Sequence, residues 1–183
     1  MIKTSLTHRV ATLAFAAGLL LAVGCGDDDD GAGAPLIQYE PPVWPDAIYT
    51  TATGTPQEQI DRFVAANDMD TTVTASGLVY EIFEPGSGEM PSSDDTVRVF
   101  YRGYFVDGRV FDQTSSQPLR LFLGPGQVID AWNEALPLLA VDGQIRIVVR
   151  PRLGYGEVGR NTNVGPITAE SVIVFDIELA DLP

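Results

Sequence analysis

Alternation of apolar and polar positions organises the second half of the chain. Leu78, Tyr80 and Ile82 alternate with Val79, Glu81 and Phe83, a period of two that predicts a strand, and Pro85-Gly86-Ser87-Gly88 stops it. Val97 to Phe105 alternates again, and Asp107-Gly108 predicts a hairpin turn before Val110 and Phe111. Leu119 to Leu123, Ile145 to Val149 and Val172 to Leu179 read as further strands. Only Gln127 to Leu139 reads as a helix in this half, with Pro137 expected to end or kink it. Many strands and one helix predict an α+β domain, an antiparallel sheet with a short helix laid on one face. No internal repeat is present.

Upstream the pattern differs. Thr55-Pro56-Gln57-Glu58 has a cap residue, a proline at the first helical position and a glutamate at the third, a capping box that opens a helix. Ile60, Phe63 and Val64 recur at helical spacing and give that helix one apolar face. A helix this short does not stand alone, so the face packs either on the main domain or on a second copy of the chain. Residues 36–54 carry Pro41, Pro42 and Pro45 with isolated Tyr39, Trp44 and Tyr49, and are expected to run extended. Asp27 to Asp30 and the small residues through Pro35 read as a tether that buries nothing. A calcium loop centred on Gly31 would put Gly26 and Ile37 where carboxylates are required, which disfavours that alternative.

Lys3 and Arg9 precede an uncharged stretch from Val10 to Val23, the build of a secretory signal and too short to span a bilayer. Leu21-Ala22-Val23-Gly24-Cys25 resembles a bacterial lipobox, with cleavage before Cys25 and lipidation of its thiol. The alternative is an ordinary cleaved signal with an incidental cysteine. Cys25 is the only cysteine, so no disulfide forms within the chain, and lipidation would account for an unpaired thiol in an exported protein. More than one acyl chain makes such an anchor stable.

Loss of residues 1–24 removes two of 11 basic residues and none of 25 acidic ones, leaving nine against 25, a net charge of −16. That charge repels phosphates and anionic headgroups, so nucleic acid is not an expected partner. The only histidine, His8, would leave with the signal. Ser/His/Asp, Cys/His and His-liganded metal chemistries are thereby excluded for the processed chain.

Several fragments in fixed order resemble the FKBP-type peptidyl-prolyl isomerases over residues 75–183. They are Val97-Arg98-Val99-Phe100-Tyr101-Arg102-Gly103, Asp107-Gly108-Arg109-Val110-Phe111-Asp112, Gln127-Val128-Ile129-Asp130-Ala131-Trp132, Pro151-Arg152-Leu153-Gly154-Tyr155-Gly156 and Val174-Phe175-Asp176-Ile177-Glu178-Leu179. The resemblance implies an antiparallel twisted sheet wrapped around one short helix, with a short N-terminal helical extension. It implies a chain divided into a lipoprotein signal (1–24), an anchored acidic and Pro-rich tether (25–54), a helical extension (55–74) and the isomerase domain (75–183). It also implies a proline pocket floored by Trp132 and walled by Tyr101, Phe111 and Phe175, with Asp112 at the rim. Val128 and Ile129 would stand at the helix entrance, the Ile129 N–H binding a substrate carbonyl, beside Gln127 and Leu119. The Tyr155 hydroxyl would bind another carbonyl, and Ile167 would lie in the loop over the site. Each of the pocket rings taken alone reads sooner as core filling than as a site.

The chain departs from the family pattern at four places. Leu119 stands where many members have phenylalanine, and Gln113 to Pro118 is shorter and lacks a basic partner for Asp112. Arg160 stands where some members have histidine, and Ile167-Thr168-Ala169 replaces a frequent Ile-Pro-Pro. The implied activity is isomerisation of Xaa-Pro bonds in unfolded or partly folded exported polypeptides, without cofactor or metal, by an envelope-facing monomer tethered through Cys25. The alternative is a proline-segment-binding chaperone or assembly module that isomerises weakly or not at all.

Overall fold

The computed structural model describes residues 38–183; the signal-like segment, Cys25 and the acidic stretch lie outside the described residues. The first helix, α1 (Pro56–Ala66), opens on the expected capping box. The Thr55 hydroxyl accepts from the Glu58 N–H, and the Glu58 carboxylate accepts from the Thr55 N–H at 2.8 Å.

Nine strands follow in order: β1 (Thr72–Val73), β2 (Val79–Glu84), β3 (Thr96–Phe105), β4 (Val110–Gln113), β5 (Leu119–Phe122), β6 (Gln144–Val149), β7 (Arg160–Thr162), β8 (Gly165–Ile167) and β9 (Ile173–Asp181). Seven form one antiparallel sheet ordered β1-β2-β6-β9-β3, with β4 and β5 both paired to the outer edge of β3. β7 and β8 form a separate hairpin. The turn from β3 to β4 has Gly108 at φ +89°, a conformation that explains a glycine there, and its N–H donates to the Phe105 carbonyl at 2.8 Å.

The second helix is shorter than its sequence pattern predicts. α2 spans Asp130–Ala135 and passes into a 3-10 turn at Leu136–Leu138. Pro137 has no N–H to give to the Asn133 carbonyl, so the α-helical ladder ends before it. At the other end, residues 124–127 form a turn, with the Gln127 N–H on the Gly124 carbonyl, and Ile129 is the cap.

Strand periodicity divides the apolar side chains between two faces. Val97, Val99, Tyr101 and Phe105 of β3, Ile145, Ile147 and Val149 of β6, and Ile173, Phe175, Ile177 and Leu179 of β9 point to the face covered by α2 and its flanking turns. Tyr104, Val148 and Val174 point to the opposite face, where Ile60 and Phe63 of α1 close over them. The apolar face of α1 is therefore buried against the chain's own sheet.

The second face also buries charge. Asp176 is fully buried between its two cross-strand neighbours, Arg102 on β3 and Arg146 on β6. The Arg146 Nε donates to its carboxylate at 2.6 Å, an Arg102 nitrogen at 2.7 Å and the Tyr104 hydroxyl at 3.3 Å. Two guanidiniums on one carboxylate leave excess positive charge, and part of it is met by the Pro-rich lead. Arg146 also donates to the Pro45 carbonyl at 3.0 Å and the Asp46 carbonyl at 3.4 Å. Burial is the largest influence on Arg146 and opposes its charge, but the hydrogen bond and charge of Asp176, with Tyr104 and Glu81 adding to them, together outweigh it and the guanidinium titrates above its ordinary value.

Residues 38–54 are fastened at further points across this face. The Thr50 N–H donates to the Val106 carbonyl at 2.8 Å, Asn67 bonds both the N–H and the carbonyl of Ile48, and the Tyr39 hydroxyl donates to Asp181 at 2.9 Å.

Candidate active site

A cavity of about 540 Å³ opens on the α2 side of the sheet. Its floor is an aromatic cluster drawn from three elements. Trp132 of α2 lies with its ring centroid 5.0 Å from Tyr101 of β3 and 5.4 Å from Phe175 of β9, both edge to face. Tyr101, Trp132 and Phe175 are 8%, 6% and 2% exposed, so the rings are fixed by packing and show one surface each to the cavity.

Gly103 makes this cluster possible. It pairs with Phe175 on one side and Asp112 on the other, and a Cβ there would lie 2.7 Å from Phe175 and 2.8 Å from Phe111. Its value is close approach of rings to backbone.

The rim carries the polar groups. Val128 and Ile129 precede α2, Tyr155 lies in the turn after β6, Asp112 comes from β4 and Leu119 from β5; all line the cavity, as do Gln127, Asp130 and Arg160. The backbone N–H of Ile129 makes no hydrogen bond among the described residues, whereas the carbonyl of this cap residue accepts from Trp132 and Asn133. The Tyr155 hydroxyl accepts from Arg160 at 2.9 Å, and its own proton has no acceptor among the described residues. Burial, helped by the Asp112 carboxylate, raises the Tyr101 hydroxyl far above its ordinary value, so it stays protonated at any physiological pH. The Trp132 indole N–H is buried with no acceptor among the described residues.

Two residues assigned to the pocket from sequence stand behind its wall. Phe111 packs edge to face on Phe175, 5.6 Å between centroids, and on Phe105 at 5.4 Å, without lining the cavity. Ile167 is 3% exposed in the core, opposite Arg160 in the β7–β8 hairpin. Conversely, Arg160 and Asp130 line the cavity although neither was assigned to it. The signal that could have found Arg160 is its place five residues after Tyr155, beyond Gly156 and Gly159.

Among the described residues no three His, Cys, Asp or Glu side chains gather as a metal set. What the cavity offers chemically is an aromatic floor beside the Ile129 N–H and the Tyr155 O–H, both unpaired among the described residues.

The family model for FKBP-type peptidyl-prolyl cis-trans isomerase matches residues 87–180. This chain belongs to the FKBP-type isomerases. It is 39% identical over 130 residues to a probable FKBP-type peptidyl-prolyl cis-trans isomerase of Haemophilus influenzae, covering 69% of this chain and 52% of that protein. It is 38% identical over 139 residues to FkpA of Escherichia coli, covering 75% and 48%. The chain thus spans about half the length of the curated FKBP-type relatives it matches. Among solved structures, Escherichia coli FkpA superposes with a TM-score of 0.59 at 36% identity, covering 69% of this chain and 57% of that one. A peptidyl-prolyl cis-trans isomerase from Pseudomonas syringae superposes with a TM-score of 0.60 at 28% identity, covering 69% and 90%. The α+β class read from the strand pattern and the FKBP fold implied by the resemblance are both observed.

Proposed function

We propose that this domain catalyses cis–trans isomerisation of Xaa-Pro bonds in unfolded or partly folded exported polypeptides. One observation carries the reading: a ring-floored cavity holds two unpaired donors, the Ile129 N–H and the Tyr155 O–H, and no nucleophile is required of it. Rotation about an Xaa-Pro bond meets a barrier of about 18–20 kcal/mol because twisting destroys amide resonance, and no covalent bond breaks. A site need only bind the twisted amide better than either planar form.

The twisted amide has less charge on its oxygen, so transfer from water to an apolar cavity favours it over the planar states. The proline ring would rest on Trp132 between Tyr101 and Phe175. The Ile129 N–H and Tyr155 O–H would hold carbonyls on either side of the rotating bond, so that the rotation occurs within a fixed frame. Asp112 stands at the rim. Each tenfold in rate needs about 1.4 kcal/mol of such preference.

Residues 1–24 are proposed to direct export and Cys25 to carry the lipid, with residues 26–37 as the spacer and a monomer as the acting species. The sequence pattern around Cys25 supports this part. Detergent-phase partitioning of the protein, lost in Cys25→Ser, tests it.

The reading itself is tested by relaxation of Xaa-Pro tetrapeptides without a coupling protease. Acceleration by wild type that weakens in Trp132→Ala supports an isomerase acting at this cavity. A folded protein that binds proline peptides without accelerating them would instead be a holding module.

A further inference from the structure

The cation of this site is not on Gln113 to Pro118, which carries none, but on the β7–β8 hairpin. Among the described residues Arg160 is the only basic one that lines the cavity. Its Nη1 donates to the Tyr155 hydroxyl at 2.9 Å, and its guanidinium lies 5.4 Å from the centre of the Tyr155 ring. It has no carboxylate within salt-bridge distance and no other hydrogen bond among the described residues.

The backbone is shaped to make this contact. Gly156 and Gly159 take φ +56° and +64°, the Gly156 N–H donates to the Pro151 carbonyl at 2.8 Å, and the Gly159 N–H donates to the Tyr155 carbonyl at 3.1 Å. This closed turn returns residue 160 over the ring of residue 155. At Gly159 a Cβ would lie 2.3 Å from the Ile167 carbonyl, so the turn is fixed to the partner strand of the hairpin.

We propose that Arg160 is a positioning residue, which occupies a lone pair of the Tyr155 hydroxyl and so presents its proton to a client carbonyl in the cavity. A hydroxyl has one proton and two lone pairs. With one lone pair taken by a guanidinium that has no acceptor capacity of its own, the proton cannot point at Arg160. The cation also polarises the O–H and strengthens its donation to a carbonyl. Without Arg160 the hydroxyl rotates freely and partly wastes its donor on water.

This rests on the isomerase reading of the same cavity, and the experiment separates the two. Wild type, Arg160→Met, Arg160→Lys, Tyr155→Phe and the Arg160→Met/Tyr155→Phe pair are compared for kcat and KM on a proline tetrapeptide, with melting temperature as a control. The expected result is a fall in kcat of about three- to tenfold for Arg160→Met, with Arg160→Lys partly restored. The Arg160→Met effect disappears in the Tyr155→Phe background, because there is no longer a hydroxyl to orient. Equal losses in both backgrounds, or no loss at all beside an active wild type, would overturn the role of Arg160 while leaving the isomerase reading intact. An inactive wild type would overturn the isomerase reading, and tetrapeptide affinity by calorimetry in the same five proteins would then decide on Arg160 by the same criterion of non-additivity.

Discussion

The two faces of one sheet have been put to opposite uses. Residues of β3, β6 and β9 that point toward α2 border a cavity left unfilled and three donors unpaired among the described residues, the Ile129 N–H, the Tyr155 O–H and the Trp132 N–H. Their immediate neighbours in sequence, pointing the other way, are closed over by α1 and residues 38–54 and bury a carboxylate held by three donor side chains, Arg102, Arg146 and Tyr104. Unsatisfied groups cost free energy, so they are tolerated where a ligand is to supply the partner. On the closed face the Asp176 cluster holds the strands that carry the site, although the Arg102 Nε and the Thr50 hydroxyl are buried without a partner among the described residues. Tyr101 and Arg102 show the division within two residues: one ring faces the cavity and the next side chain faces Asp176.

The strongest way to break this division is from the closed face. Asp176→Ala strips two guanidiniums, one of them 2% exposed, of the only carboxylate paired with them among the described residues, and leaves buried charge opposed only by the Pro45 and Asp46 carbonyls on Arg146. A loss of about 3–5 kcal/mol is expected in urea unfolding. Activity per folded molecule should change far less than stability does.

Gly103→Ala attacks the seam between the faces. Its added methyl must displace Phe175 and Phe111, both rigid rings, at an expected cost of about 1–3 kcal/mol. Because Phe175 is part of the cavity floor, isomerase activity should fall with stability in this variant, in contrast to Asp176→Ala. Unfolding midpoint and peptide relaxation measured on the same sample separate the two behaviours.

The strands were legible because the alternation on β3, β6 and β9 is regular and because Asp107-Gly108 marks its turn unambiguously. The closed face was not. In sequence Arg102, Arg146 and Asp176 are the polar beats of amphipathic strands and read as solvated; they are covered by a lead whose nearest contact, Pro45 on Arg146, is 101 residues away. The capping box announced α1 but not what it packs on. At the site, Trp132, Tyr101 and Phe175 came from the resemblance rather than from periodicity, which gave them only as apolar positions. Phe111 sits behind Phe175 because Gly103 lets both rings press on one strand, a fact of side-chain depth that no period reports. The β7–β8 hairpin escaped because Arg160-Asn161-Thr162-Asn163 has the composition of a loop, and with it went the position of Arg160 in the cavity.

On the open face, Trp132→Phe sharpens the comparison from the other side. It shortens the floor and also removes a buried N–H that has no acceptor. The lost packing and the removed unsatisfied donor are of similar size, so stability should stay within about 1 kcal/mol of wild type. Activity should drop by about three- to tenfold, since the proline ring loses contact area that is used in the transition state. Stability unchanged with activity lowered is the reverse of Asp176→Ala. A Trp132→Phe protein that lost both together would mean that floor and scaffold are not separable on this face.

The smallest effect belongs to Glu178, a carboxylate on the closed face whose net shift follows burial. Its side chain accepts from Gln144 Nε2 at 2.6 Å across the β6–β9 pair. Burial, the largest influence, raises its carboxyl above the ordinary value; the Gln144 bond lowers it without cancelling that rise, and Asp142 adds to it. A raised folded-state value means that the native protein holds its proton more tightly than the unfolded chain. The stabilisation is therefore complete below the unfolded value near 4.5 and is lost as pH rises through the higher folded value. Glu178→Gln keeps the neutral form at every pH, so its stability curve should lack that decline and lie above wild type at neutral pH, with peptide relaxation unchanged. Urea midpoints from pH 4 to 8 read this directly, and a variant that tracks wild type throughout would mean that Glu178 is solvated well enough for the closed face to tolerate its charge without cost.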